Sequence, residues 1–256
     1  MPDRQWGLDW PKAKAKAARA AALLTWRALP PLVVALARPV SRRPGVIVPL
    51  AMLSAWTVAE VAAEDDAANA AAVRSSEDCG TRYGMVGTHL LAWWTPVLLA
   101  SRPNRRAHVL AGAALVAVGG GLRVVAIRTL GARFTGHVHI LPDQQVCTRG
   151  PYSQVRHPSY VALFGINAGP ALSAGSISAA VAMGAATAIS NMLRVQVEER
   201  SLHERLGLQY LRYVAATPRF VPRLGGVVRQ PALHGSKTAP VVGFQRSLLS
   251  SWGAWS

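Results

Sequence analysis

Long runs without ionisable side chains dominate the first half of this sequence. Val46–Ala63 is apolar except for Glu60 near its end, and neither Tyr83–Ala100 nor Ala107–Leu122 contains Asp, Glu, Lys or Arg. A helix that crosses a membrane needs about 20 apolar residues, because each residue adds about 1.5 Å to its length. The pattern therefore predicts three short transmembrane helices within residues 44–127.

A fourth run, from His157 to Leu193, also lacks these four residue types. It is too long for one span and slightly short for two full spans with a loop. We therefore expect a tight helical hairpin over residues 158–193, with its break within residues 167–170 or residues 173–176, where Asn, Gly, Pro and Ser interrupt the apolar pattern.

The composition of the fourth run favours close packing between membrane helices. Its second half is rich in small residues, which allow neighbouring membrane helices to approach closely. These small residues are Ala179, Ala180, Gly184, Ala185 and Ala186. A buried helix pair in a soluble α-protein would usually show a polar face. The sequence therefore predicts an all-α fold, a polytopic integral membrane helical bundle with about five transmembrane segments.

The formal net charge of +16 is distributed unevenly along the chain. Residues 1–43 form a basic segment, which we expect to lie as an amphipathic helix on an anionic membrane or to form a poorly ordered tail. Residues 225–256 are rich in Gly, Pro and Ser and are expected to be a loose tail. Nucleic-acid-binding proteins interleave basic residues with their fold. Here the charges avoid the apolar runs, which favours membrane lipids as partners and argues against nucleic acid.

The chain contains only two cysteines, Cys79 and Cys147. They lack the spacing of a metal site and are too few for a disulfide framework. We expect both to be free thiols and expect no metal site.

Polar residues stand at both ends of the predicted hairpin. Its entrance carries Arg156, His157 and Tyr160, and its exit carries Arg194, Glu198 and Glu199. Arg194 and Glu198 are four residues apart, so they share one face of a helix. Because a hairpin returns to the side from which it starts, these side chains are expected to form one polar cluster at a membrane surface.

Several segments in order resemble the isoprenylcysteine carboxyl methyltransferase family, with its phospholipid methyltransferase relatives. They are "LGARFTGHVHI", "GPYSQVRHPSY", the hairpin, and "EERSLHERLGLQYLRYV", within roughly residues 121–224. The resemblance implies an integral membrane enzyme that transfers a methyl group from S-adenosylmethionine to a lipophilic acceptor, with the active site facing the cytoplasm. The family often has a glycine two residues after the motif tyrosine, where this chain has Ala162.

The resemblance also implies roles for residues of the catalytic region, residues 128–224. The cofactor-binding residues would be His139, Gln144, Gln145, Val146, Cys147, Tyr152, His157, Pro158, Ser159 and Tyr160. Glu198 would hold the cofactor through its ammonium group or ribose, and Arg194 would bind the carboxylate of the acceptor. Methylation of a carboxylate needs no general base, whereas an amine must lose a proton. Glu199 or His203 would be that base.

Three functions remain open at this point. The favoured one is O-methylation of the carboxylate of an isoprenylcysteine-like acceptor. The second is N-methylation of a phospholipid or another lipid amine. The third is a membrane protein that does not methylate, such as a sterol-reductase-like enzyme that uses NADPH or a transporter-like protein. In the methyltransferase, we expect the acceptor to reach the site through the membrane, between the hairpin and the third apolar run.

The side of the membrane on which the site lies follows from its cofactor. The basic N-terminal segment and the short "SRPNRR" loop both favour the cytoplasm by the positive-inside rule, but three full spans would then place the site outside. Since S-adenosylmethionine is made in the cytosol, we expect a cytoplasmic site.

Overall fold

The computed structural model describes residues 10–37, 43–66, 68–69, 79–99, 105–135 and 145–223. Regular structure in these ranges is helical throughout, which confirms the predicted all-α fold class. The helices are α1 (Trp10–Arg27), α2 (Leu29–Leu36), α3 (Pro44–Ala63), α4 (Thr81–Leu98), α5 (Arg106–Leu130), α6 (Pro158–Ser173), α7 (Ile177–Leu206) and α8 (Leu208–Ala216). Two short 3₁₀ turns cover Gly131–Arg133 and Gly150–Ser153.

Within the described ranges, two helical stretches are long and apolar enough to cross a membrane. They are α3 and the stretch Arg106–Arg133, which contains α5. Helices α1 and α2 meet at a bend of 48° and add a third candidate if they form one broken span. The apolar helices fit a membrane protein, and the number of about five spans stays a prediction.

Contacts between helix ends define one polar end of the bundle. Arg123 on α5 donates to Glu60 near the end of α3 and to Ser159 at the beginning of α6. Arg194 in the second half of α7 donates to Thr81 at the beginning of α4. These contacts connect five helices at one end of the bundle. We call the region of these five residues the polar end.

The first helix is anchored at the polar end. Lys16 donates to the backbone carbonyls of Ala62, at 3.0 Å, and of Glu64, at 2.7 Å, where α3 ends. A cation at a helix C-terminus is favourable because the last carbonyl groups have no partner within the helix. Arg19 also pairs with the carboxylates of Glu64 and Asp66. The helical part of the basic N-terminal segment is thus fixed to the bundle by charge.

Helix α2 leads away from the polar end. Ala35 belongs to the same buried cluster as Val46 and Leu50, which lie near the beginning of α3. Helices α1 and α2 therefore run along α3 antiparallel to it, from its C-terminal end to its N-terminal end.

The hairpin turns at the second of the two predicted positions. Helix α6 ends at Ser173, and α7 begins at Ile177. Gly175 has a φ of +85°, in the left-handed region that favours glycine. The Ser176 hydroxyl accepts a hydrogen bond from the Ala179 backbone N–H and caps α7. Helix α7 has 30 residues, so it extends well past the apolar run and carries the polar residues beyond it.

Helices α5 and α6 pack backbone against backbone through glycines. A Cβ atom on Gly119 would lie 2.6 Å from the Ala162 carbonyl oxygen, and one on Gly169 would lie 2.6 Å from the Gly112 carbonyl oxygen. Gly165 likewise faces the Leu115 carbonyl and leaves no room for a side chain. Gly165 and Gly169 form the G-x-x-x-G spacing typical of close membrane helix pairs. We call this contact the glycine seam.

The small residues predicted to give close packing in the second arm differ in their contacts. Ala179 and Ala180 pack against the buried cluster of Ala92, Ala171 and Met183, which joins α4, α6 and α7. Gly184 has open space beside it, and Ala185 is exposed. The acceptor path predicted between the hairpin and the third apolar run stays a prediction, and the seam leaves no room for it along α6. The seam joins α6 to α5 there without a gap, since glycine lets the two backbones touch.

A chain of uncharged hydrogen bonds runs through the interior and joins α4, α6 and α7. Trp93 Nε1 donates to His89 Nε2, at 3.1 Å, so the His89 proton lies on Nδ1 and points to Asn167 Oδ1, also at 3.1 Å. Asn167 Nδ2 donates to Thr187 Oγ1, which donates to the Met183 carbonyl. We call this chain of hydrogen bonds from Trp93 to Met183 the neutral network. It gives His89 the structural role that an isolated histidine in an apolar run usually has.

Candidate functional site

A cavity of about 150 Å³ lies at the polar end. Its lining includes charged and hydroxyl groups from α5, from α7 and from the beginning of α6: Arg123, His157, Ser159, Tyr160, Arg194 and Glu198. It also includes aromatic and apolar side chains: Cys147, Tyr152, Leu202, Leu206, Tyr210 and Tyr213. The hairpin thus brings the polar residues of its entrance and its exit to one cavity.

Glu199 is the centre of a buried charged network beside this cavity. Its side chain is 3% exposed, and its Oε1 atom accepts from His157 Nε2 at 2.9 Å and from Arg156 Nε at 3.2 Å. Arg219 donates to the other carboxylate oxygen. Burial alone would raise the pKa of Glu199, but the hydrogen bond and charge of His157, the charge of Arg156 and the hydrogen bond of Arg219 lower it to about 2. The carboxylate is therefore ionised, and it does not line the cavity.

A short segment after α8 holds the motif "RHP" in place. The backbone N–H of Arg156 donates to the Pro218 carbonyl at 2.8 Å, and that of His157 donates to the Arg219 carbonyl at 3.1 Å. The Phe220 ring lies against the His157 ring, with a centroid distance of 6.0 Å. We call this stretch the 217–220 segment. It fixes both the backbone and the ring of His157, and Pro158 then begins α6 at a position where proline costs no hydrogen bond.

Glu198 and Arg194 lie one turn apart on α7 and both line the cavity. The Tyr160 hydroxyl donates to Glu198 Oε2 at 2.7 Å, and the Tyr160 carbonyl accepts from Asn191 Nδ2 at 3.0 Å. Arg194 is 3% exposed and donates to the Thr81 hydroxyl. Glu198 and Glu199 therefore have different surroundings: the first faces the cavity, and the second faces the "RHP" motif.

Arg123 is a functional candidate that the sequence interpretation missed. Its Nε atom donates to Glu60 at 2.7 Å, its Nη1 atom donates to Ser159, and its guanidinium lies 5.4 Å from the centroid of the Phe134 ring. Both members of the Arg123–Glu60 pair are largely buried. The sequence did contain a signal for this pair. Glu60 is the single charged residue of one apolar run, and Arg123 directly follows another apolar run. Charged residues in such places usually pair inside the bundle.

Three further tyrosines, Tyr152, Tyr210 and Tyr213, line the cavity. Tyr213 donates its hydroxyl hydrogen to the Tyr152 carbonyl at 2.7 Å. Burial raises the pKa of Tyr152, Tyr210 and Tyr213, so all three hydroxyls stay protonated at neutral pH. Tyr210 and Tyr213 line the cavity together with Leu202 and Leu206.

The remaining candidate residues divide into three groups. Gln145, Val146 and Cys147 line the cavity together with the motif residues. Pro158 and Glu199 support the wall but do not line it, and His203 is exposed on α7. His139 and Gln144 lie outside the described residues. Cys79 and Cys147 are both free thiols, as expected.

Residues 112–204 match the model of the isoprenylcysteine carboxyl methyltransferase (ICMT) family, and no curated protein matches the chain. The matched range begins in α5 and contains the hairpin with Arg194, Glu198 and Glu199. It therefore includes the glycine seam, the "RHP" motif and the charged residues that line the cavity. Residues 112–204 are thus similar to the ICMT family, which is a family of methyltransferases.

Proposed function

We propose that this protein transfers a methyl group from S-adenosylmethionine to the carboxylate of a lipophilic, isoprenylcysteine-like acceptor, at a site that faces the cytoplasm. The observation that carries this proposal is the placement of Arg194 and of the Tyr160–Glu198 pair in the wall of one cavity. The charged residues that line this cavity lie within the range that matches the model of a methyltransferase family.

The cavity residues fit S-adenosylmethionine, which has a carboxylate, an ammonium, a sulfonium and an adenine. Glu198 offers a carboxylate to the ammonium group, and the rings of Tyr152 and Tyr160 offer π faces that favour a cation. Gln145, Val146 and Cys147 would line the nucleotide. When bound, the cofactor supplies an electrophilic methyl group. The protein residues bind and orient it and exclude water from the cavity.

Arg194 is the residue that we assign to the acceptor. A buried guanidinium binds a carboxylate through charge-assisted hydrogen bonds and fixes the direction of its oxygens. The position of Arg194, one turn from Glu198 on α7, supports this role, because both side chains face the same cavity. The acceptor carboxylate is already ionised at neutral pH, so alignment is the main requirement for the reaction.

The surroundings of Glu199 and His203 do not suit the role of a base for an amine acceptor. An amine acceptor needs a base that reaches the cavity. Glu199 is held by His157, Arg156 and Arg219 and does not line the cavity, and His203 is exposed. We therefore assign Glu199 to positioning of the "RHP" motif instead of proton transfer. N-methylation of a lipid amine remains the alternative that the acceptor assay below tests.

A lipophilic acceptor would enter between α4 and α7. Met85 on α4 and Arg194 on α7 both line the cavity. Between the Arg194–Thr81 hydrogen bond and the buried Ala92, the contact of α4 with α7 has small residues: a Cβ on Gly84 would meet only Ser190, at 3.8 Å, and one on Gly87 would meet nothing. Compared with the glycine seam, this contact leaves room for an alkyl chain.

The first experiment measures binding of S-adenosylmethionine by calorimetry on the detergent-purified protein. We expect binding by the wild type and a loss of at least about tenfold in affinity for Glu198→Gln, because the carboxylate charge is removed. Glu204→Gln, an exposed position on the same helix, is the matched control and should bind like the wild type. A folded wild type that binds NADPH and not S-adenosylmethionine would replace this proposal with the reductase.

The second experiment measures methyl transfer from radiolabelled S-adenosylmethionine to N-acetyl-S-farnesylcysteine and to phosphatidylethanolamine. We expect labelling of the carboxylate only, and its loss in Arg194→Gln with cofactor binding retained. Gly84→Leu should lower the rate with the farnesylated acceptor by narrowing the α4–α7 contact. Labelling of the amine lipid alone would support N-methylation and overturn the acceptor assignment.

A further inference from the structure

Tyr210 has a buried hydroxyl that the site, as described so far, leaves without a function. Tyr210 is 4% exposed and lines the cavity, and its hydroxyl oxygen has no hydrogen-bond partner among the residues that the structure describes. A buried hydroxyl without a partner is unfavourable, because it has lost its bonds to water and gained none. Such a group at the wall of a cavity indicates that a ligand completes its hydrogen bonding.

Tyr213, on the same helix, differs from Tyr210 because its hydroxyl has a hydrogen-bond partner. The two tyrosines lie on the same helix, with ring centroids 6.3 Å apart, and both line the cavity. The Tyr213 hydroxyl, however, donates to the Tyr152 carbonyl at 2.7 Å. Tyr213 is thus a structural tyrosine that ties α8 to the turn before the "RHP" motif. Tyr210 has the same position relative to the cavity, without this structural bond.

The surroundings of Tyr210 indicate which chemical group it contacts. The part of the cavity lining at α8 and the end of α7 includes Leu202, Leu206 and Tyr213, which offer apolar and flat surfaces. Such surfaces beside one hydroxyl suit a planar ring system with polar atoms on its edge. Glu198 and Arg194, which suit the charged groups of a ligand, line the cavity about two and three helical turns before Leu206 on α7.

We infer that Tyr210 is a further binding residue of the cavity and that its hydroxyl hydrogen-bonds the nucleoside part of the cofactor. The inference rests on the proposed function, and it places the nucleoside beside α8. Residues 208–216 would then belong to the cofactor site, although they follow the part of the chain that the family model matches.

The test compares Tyr210→Phe with two other Tyr→Phe variants in the full-length protein. Two ligands are titrated by calorimetry: S-adenosylmethionine and 5′-methylthioadenosine, which keeps the nucleoside and lacks the amino-acid part. Tyr210→Phe should weaken both ligands by a similar factor of about 3 to 10, which corresponds to one neutral hydrogen bond. Tyr83→Phe changes a side chain that is 82% exposed, and it should leave both affinities unchanged.

Thermal unfolding without ligand separates a binding role from a structural one. Tyr210→Phe removes a hydroxyl that has no partner, so its unfolding midpoint should equal or exceed that of the wild type. Tyr213→Phe breaks a buried hydrogen bond and should lower the midpoint. A lowered midpoint for Tyr210→Phe, to the level of Tyr213→Phe, would show that its hydroxyl already has a structural partner and would overturn the inference.

The binding outcomes distinguish this inference from the proposed function. Wild-type affinities retained in Tyr210→Phe would overturn the inference alone. Weaker S-adenosylmethionine binding with unchanged 5′-methylthioadenosine binding would place the hydroxyl at the amino-acid part and overturn the nucleoside assignment. No binding of either ligand by the wild type would overturn the proposed function, and the inference with it.

Discussion

Two buried histidines, His89 and His157, lie in hydrogen-bond networks of opposite kinds. His89 is 8% exposed and belongs to the neutral network, in which Trp93 and Asn167 satisfy its two ring nitrogens. His157 is 4% exposed and contacts the ionised carboxylate of Glu199. Similar burial thus accompanies an uncharged structural role in one place and a place in a candidate active site in the other.

The difference lies in the charge of the partners and in access to a cavity. Uncharged partners allow a polar residue to join three helices inside a membrane protein, and no ligand is needed to complete their bonds. Charged partners require several compensating contacts, because a buried charge without them is costly. Those contacts are found at the polar end, where the chain can also bring arginines from the loops. Burial of a histidine alone therefore says little about its function.

The largest expected effect comes from removing the centre of the charged network. Glu199→Ala leaves Arg156, His157 and Arg219 without their carboxylate, and breaking a buried ion pair of this kind costs about 3–5 kcal/mol of the free energy of unfolding. Chemical unfolding in detergent measures it. Glu204→Ala, an exposed position on α7, is the control and should change stability by less than about 0.5 kcal/mol.

The second prediction uses acid to protonate the carboxylate of Glu199. The pKa of Glu199 is lowered from 4.5 to about 2, so its stabilising contribution is complete above pH 4.5 and is lost as the pH falls towards 2. The free energy of unfolding of the wild type should decrease over this window by more than that of Glu199→Gln, which has no carboxylate to protonate. Equal slopes for the two proteins would mean that Glu199 does not carry this contribution.

A smaller loss of stability is expected from breaking the neutral network. Asn167→Leu removes the partner of His89 and of Thr187 and leaves buried polar atoms unpaired, which costs about 1–3 kcal/mol. Affinity for S-adenosylmethionine should stay within about twofold of the wild type, since Asn167 does not line the cavity. A loss of affinity larger than the loss in Glu198→Gln would show that the two networks are coupled.

The smallest effect on stability is expected for Tyr160→Phe. The change removes one hydrogen bond to Glu198, which is partly open to the cavity, and should cost about 1 kcal/mol. The unfolding midpoint measures it, and Tyr83→Phe serves as the exposed control. Combined with Glu199→Ala, the change should be additive within about 0.5 kcal/mol if Glu198 and Glu199 act separately.

The sequence predicted the helices and the meeting of the hairpin ends, because both depend on neighbouring residues. The apolar runs contain the information for α3 and α4, and a hairpin necessarily brings Tyr160 near Glu198. Local composition also gave the turn at Gly175 as one of two possible positions. These features need no knowledge of how distant helices pack.

The missed features depend on packing between segments that are far apart in the sequence. Arg219 reaches Glu199 only because the 217–220 segment folds back over the motif, and no local pattern indicates that path. The partners of the glycine seam were missed for the same reason: Gly165 and Gly169 have the right spacing, but the sequence does not show that Gly112 and Gly119 face them. The role of Tyr210 required knowing which of two similar tyrosines already has a partner.

The 217–220 segment also implies an order of events during protein synthesis. Both arms of the hairpin leave the ribosome before Arg219 does, so for a time they exist without this contact to Glu199. Among the described residues, the charged network thus receives its last member from a segment that is made after the hairpin.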